Sequence, residues 1–322
     1  MVTLNDIKEA QARIRGVATR TPLLPYPASL SGDPVFLKLE SLQPMGAFKL
    51  RGAYNKIVSL SEKERQRGVI TYSSGNHAQA VAYAARALGI RAVVVMPSNA
   101  PQIKQESTKA MRAEVVLVGP ASAERQVRAE ELAQRYGYVM VPTYNDEKII
   151  AGQGTLALEI LEDLPQVELV LSPVSGGGLL SGIATAIKLS RPETKVVGVE
   201  PELAADAQES LRSGRLVEWP AEKTTRTICD GLRTQSLGAI PYEHVRRYVD
   251  DIVTVSEDEI REAVRRLALY ARVVAEPSGA ASFAAFLFHR TALPKSKCTV
   301  AVISGGNADP ALLAEIVGSK AV

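Results

Sequence analysis

The stretch VITYSSGNHAQAVAYAARALGIRAVVVMP (residues 69–97) decides the fold class of this chain. Residues 69–72 and 92–96 are short runs rich in β-branched side chains, which is typical of buried strands. Residues 76–88 between them have the length and the composition of a helix, and Gly89 follows as a stop signal. Two strands joined by a helix predict a right-handed βαβ unit with parallel strands.

The same alternation continues in both directions along the chain. Further strands are predicted at residues 35–40, 115–118, 139–141, 169–171, 195–199 and 299–303. Further helices are predicted at residues 3–15, 102–112, 122–136, 149–164, 179–190 and from residue 257, with capping boxes at Thr3–Asp6 and Ser256–Glu259. A loop ahead of the first strand is predicted from prolines at positions 22, 25 and 27. The pattern predicts an α/β protein with open, twisted, mostly parallel sheets and helices on both faces.

The domain organisation is predicted from the order of the elements, because no linker or repeat marks a boundary in the sequence. Residues 69–141 have the order β-α-β-α-β-α-β and would form a small inserted α/β domain. Residues 1–68 and 142–322 would then form one large domain.

Composition excludes several classes of function. The chain has 322 residues, of which 46% are hydrophobic, and its net charge of +3 shows no basic stripe, so nucleic-acid binding is not expected. Cys229 and Cys298 lie far apart and form neither a disulfide framework nor a zinc motif, which suits a reducing compartment. The polar N-terminus is unlike a signal peptide, and the most apolar run, residues 279–288, is too short to span a bilayer and predicts a buried helix. A soluble cytoplasmic protein with no membrane association is therefore expected.

A glycine-rich loop, PVSGGGL (residues 173–179), follows a predicted strand and opens a helix. Consecutive glycines let the backbone approach an anion, and the helix start offers free N–H groups, so a phosphate is the expected guest. A competing interpretation exists, because Gly176-x-Gly178-x-x-Ser181 is close to the dinucleotide fingerprint and Glu200 stands where a ribose-binding acid belongs. On this loop alone, a nicotinamide dehydrogenase and an enzyme with another phosphate-bearing cofactor are equally supported.

Three other segments carry chemically useful residues. The loop SSGNH (residues 73–77) combines hydroxyls and an amide with a helix start, which suits a substrate carboxylate. The segment SGGN (residues 304–307) follows the strand at 299–303 and by itself predicts only a turn. Lys49 stands in GAFKLRGA (residues 46–53), where a loop is expected, and partial burial would lower its pKa and make it a nucleophile for carbonyls.

Taken together, the segments resemble fold-type II pyridoxal-phosphate enzymes of the serine/threonine dehydratase and serine racemase group, which share a two-lobed, tryptophan synthase β-like architecture. The matching stretches run in the family's order over nearly the whole chain: GAFKLRGA (46–53), SSGNHAQA (73–80), IAGQGT (150–155), SGGGLLSG (175–182), DGLRT (230–234), EPSGA (276–280) and SGGNAD (304–309). Each is moderately specific, and the ordered set is highly specific.

The resemblance implies the roles of the cofactor site in the large domain. Lys49 matches the lysine that carries the cofactor as a Schiff base and takes the α-proton. Phe48 would pack near the cofactor, Asn76 would bond its 3-oxygen, and Ser304 would face its pyridine nitrogen. A neutral partner at that nitrogen favours elimination over transamination. The phosphate cup would be formed by Ser175, Gly176, Gly177, Gly178 and Leu179.

The resemblance also implies how substrate is held. The carboxylate would sit on Ser73, Ser74, Gly75, Asn76 and His77. Ser74 matches the serine that serves as acid or base on the face opposite the lysine in serine racemases, and the same residue occurs in threo-3-hydroxyaspartate dehydratases. Arg125 matches an arginine that contacts substrate in that subgroup and would pair with a second carboxylate.

A metal site is implied by the same subgroup. Glu200, the carbonyl of Ala204 and Asp206 would hold a divalent cation, and oxygen ligands suit Mg, Mn or Ca. This interpretation also removes Glu200 as an argument for a nicotinamide cofactor. The resemblance thus implies a homodimeric, pyridoxal-phosphate-dependent lyase that dehydrates and deaminates L-serine or L-threonine. The alternatives within the family are a serine racemase and a threo-3-hydroxyaspartate ammonia-lyase.

Overall fold

The structure is a computed structural model that describes residues 1–73, 75–100, 102–119 and 122–319. Within those residues the strands are β1 (Leu23–Tyr26), β2 (Val35–Leu39), β3 (Val69–Tyr72), β4 (Ala92–Pro97), β5 (Glu114–Val118), β6 (Val139–Met140), β7 (Leu169–Pro173), β8 (Lys195–Pro201), β9 (Asp251–Val255) and β10 (Thr299–Ile303). The helices are α1 (Leu4–Ile14), α2 (Ala28–Ser31), α3 (Lys49–Val58), α4 (Glu62–Arg67), α5 (Asn76–Ala87), α6 (Gln102–Ala110), α7 (Ser122–Tyr136), α8 (Glu147–Asp163), α9 (Gly178–Ser190), α10 (Asp206–Ser213), α11 (Ala221–Thr224), α12 (Ala239–Tyr248), α13 (Glu257–Arg266), α14 (Pro277–Phe288) and α15 (Pro310–Gly318). Short 3-10 turns and one π-helical turn, Leu267–Ala271, connect some of them.

The strands form two sheets, and the predicted α/β class is confirmed. The larger sheet has the order β1-β2-β10-β7-β8-β9 and is parallel except for the antiparallel pair β1–β2. The smaller sheet has the order β5-β4-β3-β6 and is parallel throughout. Its strands lie between residues 69 and 140, inside the segment expected to form a small domain, and the domain boundary itself stays a prediction.

Helices cover both faces of the larger sheet, as expected for parallel strands. Successive side chains of a strand point to opposite faces, and β7 shows the consequence. Val170 packs on one side in a cluster with α1, α8, α9 and α12, whereas Leu169 and Leu171 pack on the other with α13, α14 and α15. Helix α14 is apolar on all sides and buried, with Phe283 and Phe286 in the core, which confirms the buried helix predicted at 279–288.

Two capping boxes predicted from the sequence are present. Thr3 and Asp6 exchange hydrogen bonds at the start of α1, and Ser256 and Glu259 do so at the start of α13. Within the described residues, no helix combines the length and the apolar character that a bilayer-spanning segment needs.

Some elements differ from the sequence predictions. The segment with Pro25 was expected to be a loop and forms the edge strand β1, where only one side needs to pair and a proline is tolerated. Strand β9 at the opposite edge was missed. Lys49 was expected in a loop and is the first residue of α3, whose Leu50, Ala53 and Ile57 form a buried stripe. The flanking glycines obscured that stripe in the sequence.

Candidate active site

The candidate site lies beyond the carboxyl ends of strands from both sheets, where ligands of open α/β folds bind. The loops after β3, β7 and β10 converge there with the start of α3. The Phe48 N–H donates to the Ser304 carbonyl at 3.1 Å, and Ala47 forms an antiparallel bridge with Gly305. The segment before Lys49 is therefore tied to the segment after β10.

Lys49 is partly buried at the start of α3. Its Nζ donates to the Thr143 carbonyl at 3.3 Å and lies 4.9 Å from the centre of the Phe48 ring. Burial lowers the pKa of Lys49 to about 8, against the opposing attraction of the Glu276 carboxylate. More of this amine is consequently neutral and nucleophilic near neutral pH than for an ordinary lysine.

Asn76, the first residue of α5, belongs to a chain of side-chain hydrogen bonds. Its Nδ2 donates to Glu276 Oε1 at 2.7 Å, and its Oδ1 accepts from Asn307 Nδ2 at 2.8 Å. Asn307 Nδ2 also donates to the Met45 carbonyl at 2.9 Å. Neither Glu276 nor Asn307 was assigned a role from the sequence, although EPSGA and SGGNAD contain them.

The side chains of Ser73 and His77, which lie on either side of Asn76 along the chain, both contact the backbone. The buried imidazole Nε2 of His77 lies 3.0 Å from the Val141 carbonyl, and burial together with the charge of Lys49 lowers the pKa of His77 to about 3. It is therefore a neutral ring at any physiological pH. The Ser73 hydroxyl accepts from the Gly75 N–H at 3.3 Å. Ser74, the predicted acid or base of the second face, lies outside the described residues.

The glycine loop between β7 and α9 forms a tight cradle. Gly177 has a φ of +88°, which favours glycine, and a side chain there would lie 2.7 Å from Leu237 and 2.8 Å from Pro241. The Ser175 hydroxyl lies 3.0 Å from that of Thr234, and Leu179 is buried in the first turn of α9. The backbone N–H groups at this helix start suit a phosphate, as predicted.

Tyr144 forms a wall of the cradle that sequence analysis missed. A side chain at Gly176 would overlap the Tyr144 ring, and one at Gly178 would approach Tyr144 Cβ to 2.9 Å. Burial raises the pKa of Tyr144, with smaller contributions from Tyr72 and Asp206. Tyr144 therefore lies between the cradle, the end of β3 and the start of α10.

Arg125 is half-buried on α7 and faces Tyr72 at the end of β3. Burial lowers its pKa, and the Tyr72 hydroxyl partly offsets that effect. Within the described part of the chain, its buried Nε has no hydrogen-bond partner. A buried guanidinium N–H without an acceptor is costly, and an anionic ligand would satisfy it.

Glu200 at the end of β8 and Asp206 at the start of α10 form a buried acidic pair. Glu200 accepts from the Gln208 N–H at 2.9 Å, and burial and Asp206 raise its pKa. Burial raises the pKa of Asp206 to about 7, and its Oδ2 has no partner among the described residues. Ala204 lies beside them and is also buried. No cluster of three or more His, Cys, Asp and Glu side chains suited to a metal occurs in the described ranges, so a cation here would depend on this pair and a backbone carbonyl.

Comparison with known proteins bears on the identity of this site. The model of a family described as pyridoxal-phosphate dependent enzyme matches residues 14–305. An L-threonine ammonia-lyase of Thermotoga maritima is 45% identical over all of this chain and 80% of its own length. Maize serine racemase superposes with a TM-score of 0.93 at 36% identity, covering 98% of this chain and 96% of that one. The processed form of threonine deaminase isoform 2 from Solanum lycopersicum superposes with a TM-score of 0.91 at 35% identity, covering 98% of this chain and 94% of that one. The family match includes the glycine loop and removes its dinucleotide interpretation.

Proposed function

Because this chain belongs to the family of pyridoxal-phosphate-dependent enzymes, we propose that it is a lyase acting on a small hydroxy-amino acid such as L-serine or L-threonine. The products would be a 2-oxo acid and ammonia. The observation that carries the proposal is Lys49, a partly buried amine with a pKa of about 8 in the cleft shared by Asn76 and the glycine cradle. The relatives named for threonine ammonia-lyase and threonine deaminase support this substrate class.

The residues present fit the cofactor. The cradle between β7 and α9 leaves no room for side chains at Gly176 and Gly178 and presents backbone donors, which suits the phosphate. We assign the cofactor to Lys49, Phe48, Asn76, Ser175, Gly176, Gly177, Gly178, Leu179 and Ser304. When bound, pyridoxal phosphate supplies an aldehyde for amines and a ring that withdraws electrons from the α-carbon.

Lys49 moves the proton of the reaction. Burial keeps part of its amine neutral, so Nζ can accept the α-proton of an amino acid held in the cleft. The C–H electron pair then forms the α–β double bond as the β-hydroxyl leaves with a proton as water. Hydrolysis of the unsaturated product gives the 2-oxo acid and ammonia. The substrate carboxylate is assigned to the loop Ser73–His77 and the start of α5, although the neutral His77 bonds the backbone instead.

Racemisation is the second candidate activity. The similarity to maize serine racemase and the SSGNH sequence favour it, with Ser74 returning a proton to the opposite face. Arg125, with its unsatisfied buried N–H, would select substrates with a second carboxylate, such as 3-hydroxyaspartate.

The acidic pair Glu200 and Asp206, with the Ala204 carbonyl, is proposed to hold Mg, Mn or Ca. The two buried carboxylates repel each other, and Asp206 Oδ2 has no hydrogen-bond partner among the described residues. A hard cation between them would relieve the repulsion and bind that oxygen. A homodimer in the cytoplasm is proposed from the family resemblance alone.

One assay tests the proposal. The purified protein is loaded with pyridoxal phosphate and incubated with the isomers of serine, threonine and 3-hydroxyaspartate, with and without Mg. We expect 2-oxo acid and ammonia in equal amounts from at least one L-isomer, and none with Lys49→Ala. Chiral analysis of the remaining substrate detects racemisation. Absence of 2-oxo acid from every substrate would contradict the lyase assignment.

A further inference from the structure

The hydrogen bonds in the chain that links Met45, Asn307, Asn76 and Glu276 all donate in the directions that the Glu276 carboxylate and the Met45 carbonyl require, since both of these groups only accept. An ionised carboxylate only accepts hydrogen bonds, so the group of Asn76 that faces Glu276 must be its amide nitrogen. Asn76 then presents its oxygen to Asn307, which donates from Nδ2. The other N–H of Asn307 is occupied by the Met45 carbonyl, and this fixes Asn307 in turn.

The backbone around this chain is shaped to admit it. A side chain at Gly305 would overlap Glu276 Oε1 and come within 3.3 Å of Asn76 Nδ2. One at Gly46, where φ is +69°, would overlap Asn307 Oδ1. These glycines of GAFKLRGA and SGGNAD therefore make room for Glu276 and Asn307, in addition to any approach to a cofactor.

The Asn76 amide nitrogen carries two hydrogens, and Glu276 takes one. We propose that Glu276 and Asn307 are positioning residues that hold the Asn76 amide in one orientation, so that its second N–H is kept for the 3-oxygen of the cofactor. This inference rests on the proposed function. If the Asn76 amide were reversed, its oxygen would present a lone pair to the 3-oxygen of the cofactor. Glu276 and Asn307 therefore ensure that Asn76 offers the cofactor its N–H donor and not its carbonyl oxygen.

The Glu276 carboxylate has a second effect, on charge. It attracts the ammonium of Lys49 and helps to raise the pKa of Cys229, while His77 faces Lys49 from α5. Loss of the Glu276 charge removes the attraction that opposes the effect of burial on the Lys49 pKa, so the amine becomes neutral at lower pH.

The direction of the chain can be reversed by exchanging its end groups. In the double variant Glu276→Gln/Asn307→Asp, residue 307 can only accept and residue 276 can donate, so Asn76 is turned over while the net charge is unchanged. Glu276→Gln alone is the matched control, because its amide oxygen still accepts from Asn76. Glu193→Gln on the exposed surface controls for loss of a carboxylate elsewhere.

The measurement is the ratio of affinities of the apoenzyme for pyridoxal phosphate and for its analogue without the 3-oxygen. For the wild type we expect the analogue to bind roughly tenfold or more weakly, since it loses a hydrogen bond to a charged oxygen. Glu276→Gln should retain this ratio and the double variant should lose most of it. An unchanged ratio in a folded double variant overturns the inference. If that variant does not fold, Glu276→Ala/Asn307→Asp replaces it, because residue 307 then only accepts and no carboxylate at position 276 competes for the Asn76 N–H, and a wild-type ratio there is equally contradictory.

A second readout does not depend on the bound cofactor. The pH dependence of Lys49 labelling by an amine reagent in the apoenzyme should have a midpoint near 8 in the wild type and a lower one in Glu276→Gln. An equal midpoint in both proteins would remove Glu276 from the electrostatics of the site. Wild-type protein that binds neither form of the cofactor would instead contradict the proposed function.

Discussion

Replacing Arg51 by methionine should strongly destabilise the protein, because Arg51 lies at the centre of a buried charge cluster beneath the start of α3. Its guanidinium binds Glu40 at 2.8 Å and Glu159 at 2.6 Å, and Lys38 completes the cluster at 2.6 Å from Glu159. All four side chains are essentially excluded from solvent. Two cations balance two carboxylates here, so Arg51→Met leaves one buried negative charge without a partner.

The magnitude follows from that imbalance. Breaking a buried pair by removing one partner costs about 3–5 kcal/mol, which lowers the melting temperature by roughly 4–7 °C in a protein of this size. Arg91→Met is the matched control, because Arg91 makes a 2.7 Å ion pair with Glu114 in which both side chains are exposed. That pair should contribute at most about 1 kcal/mol.

Thermal and urea unfolding of the apoenzyme measure both variants. The double variant Arg51→Met/Glu40→Gln leaves one cation, Lys38, paired with one carboxylate, Glu159. Its free energy of unfolding should therefore fall by less than the sum of the decreases in the two single variants. The reasoning is refuted if Arg51→Met costs no more than Arg91→Met, since the cluster would then act like an exposed pair.

Three further predictions concern the site. Gly176→Ala should weaken binding of pyridoxal phosphate at least about tenfold while changing secondary structure little, because the new methyl overlaps the Tyr144 ring; titration of the apoenzyme measures it, and unchanged affinity would argue against the cradle. Asp206 has a raised pKa of about 7, so the stability it contributes is present below its unfolded value near 3.8 and is lost as pH rises through about 7. A cation binds the ionised carboxylate, so Mg should raise the melting temperature more at about pH 8 than at about pH 6. Asp206→Asn should abolish this dependence of the Mg effect on pH. If the variant shows the same dependence as the wild type, the cation binds elsewhere. Ser74→Ala should abolish racemisation of serine and retain elimination of the L-isomer, as measured by chiral analysis beside a 2-oxo-acid assay; undiminished racemisation would assign the second proton to another group.

Local patterns in the sequence were sufficient to predict the fold class. Strands and helices alternate at short spacing, and β3, β4 and β10 are short runs of mostly β-branched and apolar residues, which is typical of strands in a covered parallel sheet. The edge strand β1 lacks this signal, because an edge strand tolerates proline and exposed side chains, whereas β9 was missed although its sequence DIVTV is rich in β-branched residues.

The site was predictable where its residues form compact motifs. Lys49, Asn76 and the glycine loop each stand out within a few residues of sequence. Glu276 could not be found in this way, because it lies 200 positions from the Asn76 amide that it binds. The same holds for Arg51 and Glu159, which are 108 positions apart and meet only when α3 packs on α8. Tyr144 offered no signal, since a tyrosine in a loop is usually an ordinary surface residue.

Reduction of the loaded enzyme with borohydride tests the assignment of Lys49 most directly. Borohydride fixes a cofactor that is linked to an amine, and peptide mass spectrometry then identifies the modified residue. We expect the added mass of a reduced pyridoxyl phosphate group on Lys49, and loss of both the yellow colour and the adduct in Lys49→Ala. An adduct on another lysine, or a yellow Lys49→Ala protein that still carries a lysine-linked cofactor, would contradict the account.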